Sequence, residues 1–141
     1  MQIIQKCKRP VFAFDLILFF IIGIVCSSQQ SDSLDLSAIV QLTPQDASEL
    51  VNDTSVTILD VRTINEYKAG HIGKAIVIPV QELQERVSEI EHLKNSKVLV
   101  YCRTGVRSKK ALQILQQNGF SQLYHLEKGI RLWTQEGFKI E

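Results

Sequence analysis

Five short runs of aliphatic and β-branched residues, Ile39–Leu42, Val56–Asp60, Ala75–Ile78, Val98–Tyr101 and Leu123–Leu126, alternate with stretches of helical patterning. Runs this short and this apolar suit strands covered on both faces, and parallel strands need a crossover between neighbours. The alternation therefore predicts an α/β fold, a mostly parallel five-stranded sheet flanked by helices on both faces.

The helices are marked by their ends as much as by their faces. Thr43 stands as a capping residue before Pro44, which opens a helix running to about Val51. A short turn is expected over Ile64–Lys68 and one or two helices over Gln81–Leu93. Ser108–Asn118 carries the clearest pattern, with Ala111, Leu112, Ile114 and Leu115 on a core-facing side and Gly119 as the stop. A last helix spans about Ile130–Glu136, with Leu132 and Trp133 turned inward.

Residues 1–31 have a different character. Lys6, Lys8 and Arg9 precede the apolar run Leu16–Cys26, and a polar Ser–Gln stretch follows. Eleven apolar residues match the core of a secretory signal, whereas a bilayer span wants about 20. Three fates stay open: cleavage after Ser27, lipidation at Cys26, or retention as a single anchor with its basic side in the cytoplasm. Each carries the rest of the chain across the cytoplasmic membrane, to a periplasmic or membrane-attached location, and any membrane contact is made through this segment alone. Residues 32–38 then form a solvated linker, and 39–141 a single domain.

Charge narrows the function classes. The formal net charge is +1, and the first 30 residues hold three basic side chains against one acid, which leaves the remainder near −1. Non-specific nucleic-acid binding gains no support from that balance. Locally, Arg103, Arg107, Lys109 and Lys110 crowd beside Cys102, and an anion is the natural guest. Of the three cysteines only Cys102 lies in the domain, so no disulfide framework or thiolate cluster can be built there. His71, His92 and His125 are too scattered to complete a metal site, and no cofactor is implied.

The segment Val98–Ser108, VLVYCRTGVRS, joins a hydrophobic strand to a helix through a glycine-containing loop that starts at Cys102. Such a loop aims several backbone N–H groups and the positive end of a helix at one point, which stabilises a thiolate without a buried counterion. A free cysteine titrates near 8.5, and a helix terminus contributing up to about 2 kcal/mol lowers that value by about 1.5. Arg103 or Arg107 is expected to face the substrate. Cys102 and Arg107 are separated by four residues. Tyrosine and dual-specificity phosphatases use five, in a loop that must surround a tetrahedral phosphate, and the tighter ring suits a single sulfur atom held on cysteine as a persulfide.

At this loop the chain resembles the rhodanese, or sulfurtransferase, family. LDVRTINEYKAGHI (residues 59 to 72) is similar to the family's first signature, AIVIP (75 to 79) to the strand after it, and HLEKGIRLW (125 to 133) to its C-terminal signature. The resemblance implies a rhodanese-like fold. It implies Cys102 as the nucleophile, with Arg103, Thr104, Gly105, Val106 and Arg107 forming the loop that holds the persulfide. It also places Asp60, with Arg62, behind that loop. The implied chemistry is sulfane-sulfur transfer from thiosulfate or a similar anion to a thiol or cyanide, and the small exported phage-shock-type members are the nearest in kind. The chain departs from the family at Gly73–Lys74, where Pro-Gly is common, and at Lys128–Gly129, where Gly-Gly is frequent. These departures bear on substrate preference.

Asp60, Arg62, Glu66 and His71 could be imagined as an acid–base set. Sulfur transfer to an ionised thiolate needs no such base, and the sequence reading makes Asp60 and Arg62 loop braces, with Glu66 as a partner for Arg62. The competing reading from another class is a persulfide carrier, redox sensor or binding module in which Cys102 is modified without turnover.

Overall fold

Strands β1 (Ile39–Leu42), β2 (Val56–Asp60), β3 (Ile76–Val77), β4 (Lys97–Tyr101) and β5 (Gln122–Leu126) form one sheet in the order β1-β5-β4-β2-β3, with every pairing parallel. This computed structural model describes residues 38–141, so the leader expected over 1–31, and all but the last residue of the linker, lie outside the described residues. The helices are α1 (Pro44–Val51), α2 (Ile64–Lys68), α3 (Leu83–Arg86), α4 (Val106–Gln117) and α5 (Gly129–Gln135), with a 3-10 stretch over Val87–Leu93 after α3.

Strand alternation divides the core into two layers. On β4, Val98 and Val100 pack with Leu83, Ile90, Leu112 and Leu115 on one face, and Cys102, just past the strand, continues that row. Leu99 and Tyr101 point the other way, toward Ala47, Ile130 and Trp133. Each fully buried aliphatic side chain of this kind contributes about 1.5–3 kcal/mol, so both faces of the central strands are committed to helix packing.

The strand order sets the position of the site. From β2 the chain moves outward to β3, and from β4 it moves the opposite way to β5. The connections leaving the carboxyl ends of β2 and β4 therefore diverge, which opens a crevice where α/β sheets hold their ligands. Asp60 closes β2 and Cys102 follows β4 at that crevice.

Several boundaries shift from the sequence reading. Helix α4 starts at Val106, two residues before the expected Ser108, because Gly105 takes the left-handed conformation at φ 94° and lets the chain turn into the helix at once. Strand β3 is shorter than Ala75–Ile78: it lies at the sheet edge and pairs only through Leu59 and Asp60, while the Ala75 N–H is spent on the Gly73 carbonyl at 2.9 Å. Trp133 is buried as expected, whereas Leu132 is only half-buried. Thr43 caps α1 as expected, accepting from the Asp46 N–H at 3.3 Å with Pro44 opening the helix.

Candidate active site

The loop after β4 folds back over its own cysteine. Cys102 is fully buried, and its Sγ accepts the Gly105 N–H at 3.1 Å. The Ser108 hydroxyl, in the first turn of α4, lies 3.5 Å from the same sulfur. Burial pushes the thiol up. The hydroxyl and N–H of Ser108 and the N–H groups of Thr104 and Gly105 outweigh that effect, so Cys102 titrates below the ordinary cysteine value. Twelve residues of helix begin immediately after the loop, and their dipole acts in the same direction.

Arg103 and Arg107 are placed differently. Arg107 is half-buried and holds Glu66 in a two-pronged bond, Nη1 to Oε2 and Nη2 to Oε1, each 2.7 Å. The carboxylate raises the Arg107 pKa, and the charge of Cys102 adds to it. Glu66 is in turn held at about 2, mainly by Arg107 and also by the Thr63 N–H and hydroxyl of its capping box. The expected pairing of Glu66 with Arg62 is therefore corrected. Arg62 is already satisfied by Asp60 and the Gly70 carbonyl, which leaves Glu66 to meet the loop.

Arg103 is exposed and lines a cavity of about 330 Å³ together with Arg62, Glu66, Ile130, Arg131 and Ile140. Two exposed guanidinium groups, Arg103 and Arg131, border this opening beside apolar walls, which suits a small anion with a hydrophobic edge. A second cavity, of about 280 Å³, lies against the other part of the loop and is lined by Thr104, Gly105, Val106, Lys109, Gln41 and His125. Val106 is 74% exposed.

Asp60 and Arg62 brace the crevice from below. Arg62 Nε and Nη2 reach the Asp60 carboxylate at 2.6–3.0 Å, and Nη2 also donates to the Gly70 carbonyl at 2.7 Å. The Tyr101 hydroxyl donates to Asp60 Oδ2 at 2.7 Å and accepts the Ile72 N–H at 3.1 Å. Burial alone would lower the Arg62 pKa, but the Asp60 contacts more than offset it. Burial beside the Asp60 charge raises that of Tyr101. This network ties β2, β4 and the loop at residues 70–72 into one support.

Backbone bonds hold the loop from the other side. The Ile130 N–H donates to the Cys102 carbonyl at 2.9 Å and the Arg131 N–H to the Arg103 carbonyl at 3.1 Å. Gly129, at φ 59°, allows this approach, since a Cβ there would overlap the Cys102 and Arg103 backbone. The residue before it, Lys128, is the one non-glycine with positive φ among the described residues, at 56°.

Two residues escape the sequence reading. His125 enters it as a scattered histidine and as the first residue of the C-terminal signature, with no role given, and Ser108 only as a helix start. In the structure Ser108 Oγ lies 2.8 Å from His125 Nε2, and His125 Nδ1 lies 2.7 Å from Gln41 Oε1. The alternation of QLYHL in β5, with Leu123 and His125 on the same core-facing side, is the signal that could have found the histidine.

A parallel five-stranded sheet with a cysteine loop at its carboxyl edge defines a class, and the comparisons with known proteins agree. The family model for the rhodanese-like domain matches residues 43–136, and the chain belongs to that family. Among solved structures, a rhodanese-related protein from Thermoplasma volcanium is 32% identical, with a TM-score of 0.64 over 72% of this chain and 97% of that one. A rhodanese-like domain protein from Staphylococcus aureus is 30% identical, with a TM-score of 0.61 over 72% of this chain and 98% of that one. Among curated relatives, the tRNA uridine(34) hydroxylase of Sodalis glossinidius is 34% identical over 93 residues, covering 63% of this chain. The match spans only 26% of that relative's length.

Proposed function

We propose that the protein is a sulfurtransferase in which Cys102 carries a sulfane sulfur as a persulfide. The observation that carries this reading is the Gly105 N–H on Cys102 Sγ at 3.1 Å, in a loop whose amides and hydroxyl lower the pKa of a buried thiol. The Cys102 thiolate attacks the outer sulfur of thiosulfate or a similar anionic donor, the donor S–S bond breaks, and sulfite leaves with the electron pair. A thiol, as its thiolate, or cyanide then attacks the outer persulfide sulfur, and the Cys102 thiolate departs. Arg103 draws the oxyanion toward the loop, and the amides from Arg103 to Arg107 hold the persulfide. Residues 1–31 deliver the domain across the cytoplasmic membrane.

The name of the curated relatives suggests a different chemistry, hydroxylation of a tRNA uridine. Support for it in this chain is thin, because about three-quarters of that relative lies outside the match. The near-neutral charge beyond the first 30 residues also gives tRNA no electrostatic footing. The test is steady-state sulfur transfer from thiosulfate to cyanide by the full chain. Continuous turnover that disappears in Cys102→Ser supports the reading. A single turnover at most would instead identify a carrier or sensor.

A further inference from the structure

Behind the sulfur of Cys102 runs a line of polar groups that the sulfur-transfer steps above do not use, buried at Ser108 and His125 and reaching the surface at Gln41. Ser108 Oγ lies 3.5 Å from Cys102 Sγ and 2.8 Å from His125 Nε2. His125 Nδ1 lies 2.7 Å from Gln41 Oε1. Cys102 and Ser108 are fully buried, and His125 is 2% exposed. Sheet register builds the line: Gln41 and His125 are direct partners across β1 and β5, Val100 pairs with His125 across β4, and Cys102 continues the same face. Gln41 and His125 also line the second cavity, away from the opening bordered by Arg103 and Arg131.

The polarity of each bond follows from its partners. Gln41 Oε1 accepts, so His125 Nδ1 carries the hydrogen, and Nε2 is then the free acceptor for the Ser108 hydroxyl. The Ser108 oxygen keeps lone pairs for the Cys102 S–H. We propose that Ser108 and His125 form a proton relay for Cys102, which takes the thiol proton toward the cavity beside Gln41 and returns it. The Cys102 S–H bond breaks as its proton passes to Ser108 Oγ, and the Ser108 proton passes to His125 Nε2. The product is a thiolate accepting from Ser108, which accepts from the imidazolium, which still donates through Nδ1 to Gln41. The two bonds between the sulfur and His125 reverse while the bond to Gln41 keeps its direction, and the buried pair stays neutral overall. No oxidant, reductant or further reactant is needed.

The surroundings suit this exchange. His125 faces Lys109 from α4, Glu127 just past β5 and the Gly105 carbonyl from the loop, and Lys128 lines the same cavity. Burial and then Lys109 lower its pKa, while Glu127 and the Gly105 carbonyl oppose them, so the isolated imidazole is neutral and free to accept. Cys102 faces Arg107, Ser108 and the loop amides, all of which favour the thiolate. The Gly105 carbonyl, 2.9 Å from Ser108 Oγ, offers the hydroxyl a third direction and lets it rotate between its partners. Ser108 touches the reacting sulfur, whereas His125 acts through Ser108.

This inference rests on Cys102 being the reactive thiol, and its test needs no sulfur donor or acceptor. The measurement is the pH profile of Cys102 alkylation by iodoacetamide in the full chain, resolved by peptide mass so that Cys7 and Cys26 are counted apart. The unaltered protein should show two inflections, because the coupled pair loses its protons in two steps. Ser108→Ala and His125→Asn should each leave one inflection, displaced to higher pH, with a rate at neutral pH about tenfold lower or less, the ratio that one pH unit represents. The double variant should be no slower than the slower single one. A His125→Asn profile that coincides with the unaltered one overturns the relay, even if Ser108→Ala is displaced.

Ring 15N spectra give a second reading that needs no folded variant. Between the two inflections, His125 Nε2 should sit toward its protonated position and return to the unprotonated one when Cys102 is alkylated. An Nε2 signal indifferent to alkylation would also overturn the relay. If the relay signature is present and thiosulfate is not turned over, the sulfurtransferase reading fails while the relay stands.

Discussion

Arg107 and Glu66, 41 positions apart, close on each other through two parallel 2.7 Å bonds, so the start of α4 is tied to the helix that follows β2. This bond links the carboxyl ends of β2 and β4 and leaves Arg103 as the exposed guanidinium of the loop.

Glu66→Gln should make the protein less stable at neutral pH by roughly 1 kcal/mol, a modest figure because both partners are partly solvated. The folded-state pKa of Glu66 is about 2, below the ordinary glutamate value of 4.5. Its contribution is therefore fully present above pH 4.5 and is lost as pH falls from there toward 2. Urea midpoints measured across that interval should converge for the two proteins. A constant gap would assign the stabilisation to something other than the ionised carboxylate.

The buried pair under the crevice should respond more sharply. Asp60 is fully buried and Arg62 nearly so, and removal of one partner leaves the other charge unpaired. Arg62→Leu is expected to cost about 3–5 kcal/mol. Tyr101→Phe, which removes one hydrogen bond to Asp60, should cost about 1–2 kcal/mol. Denaturant titration of the two variants checks the order. Equal effects would mean that the hydroxyl supports Asp60 as much as the guanidinium does.

How much of this was open to sequence reading depends on sequence distance. Cys102, Gly105 and Arg107 lie within six residues, and Asp60 and Arg62 within three, so the loop and its brace are legible as local patterns. The strand candidates follow from uninterrupted apolar runs such as VLVY, whose side chains have a helix layer on each face. Glu66 goes astray because Arg62 is nearer in sequence, and only the fold shows that Asp60 and the Gly70 carbonyl have already satisfied it. His125 needs the β1–β5 register before Gln41 stands beside it. Helix α4 begins early for a backbone reason, the left-handed Gly105, which hydrophobic spacing does not record.

The clamp at the start of α5 predicts opposite effects at adjacent positions. Gly129→Ala would drive a Cβ into the backbone of Cys102 and Arg103, and should cost about 2–3 kcal/mol and abolish sulfur transfer. Lys128→Gly relieves a left-handed non-glycine residue and should gain up to about 1 kcal/mol, with transfer retained. Thermal unfolding of both variants, followed by a transfer assay, tests the pair. A tolerated Gly129→Ala would show that α5 does not hold the loop.

The most direct measurement is the mass of the Cys102 peptide after the full chain meets thiosulfate and excess donor is removed. An adduct of about 32 Da, one sulfur atom, is expected on Cys102, which disappears on addition of cyanide and does not form in Cys102→Ser. Sulfur transfer that proceeds in Cys102→Ser, or an unmodified Cys102 in an actively transferring protein, would contradict it.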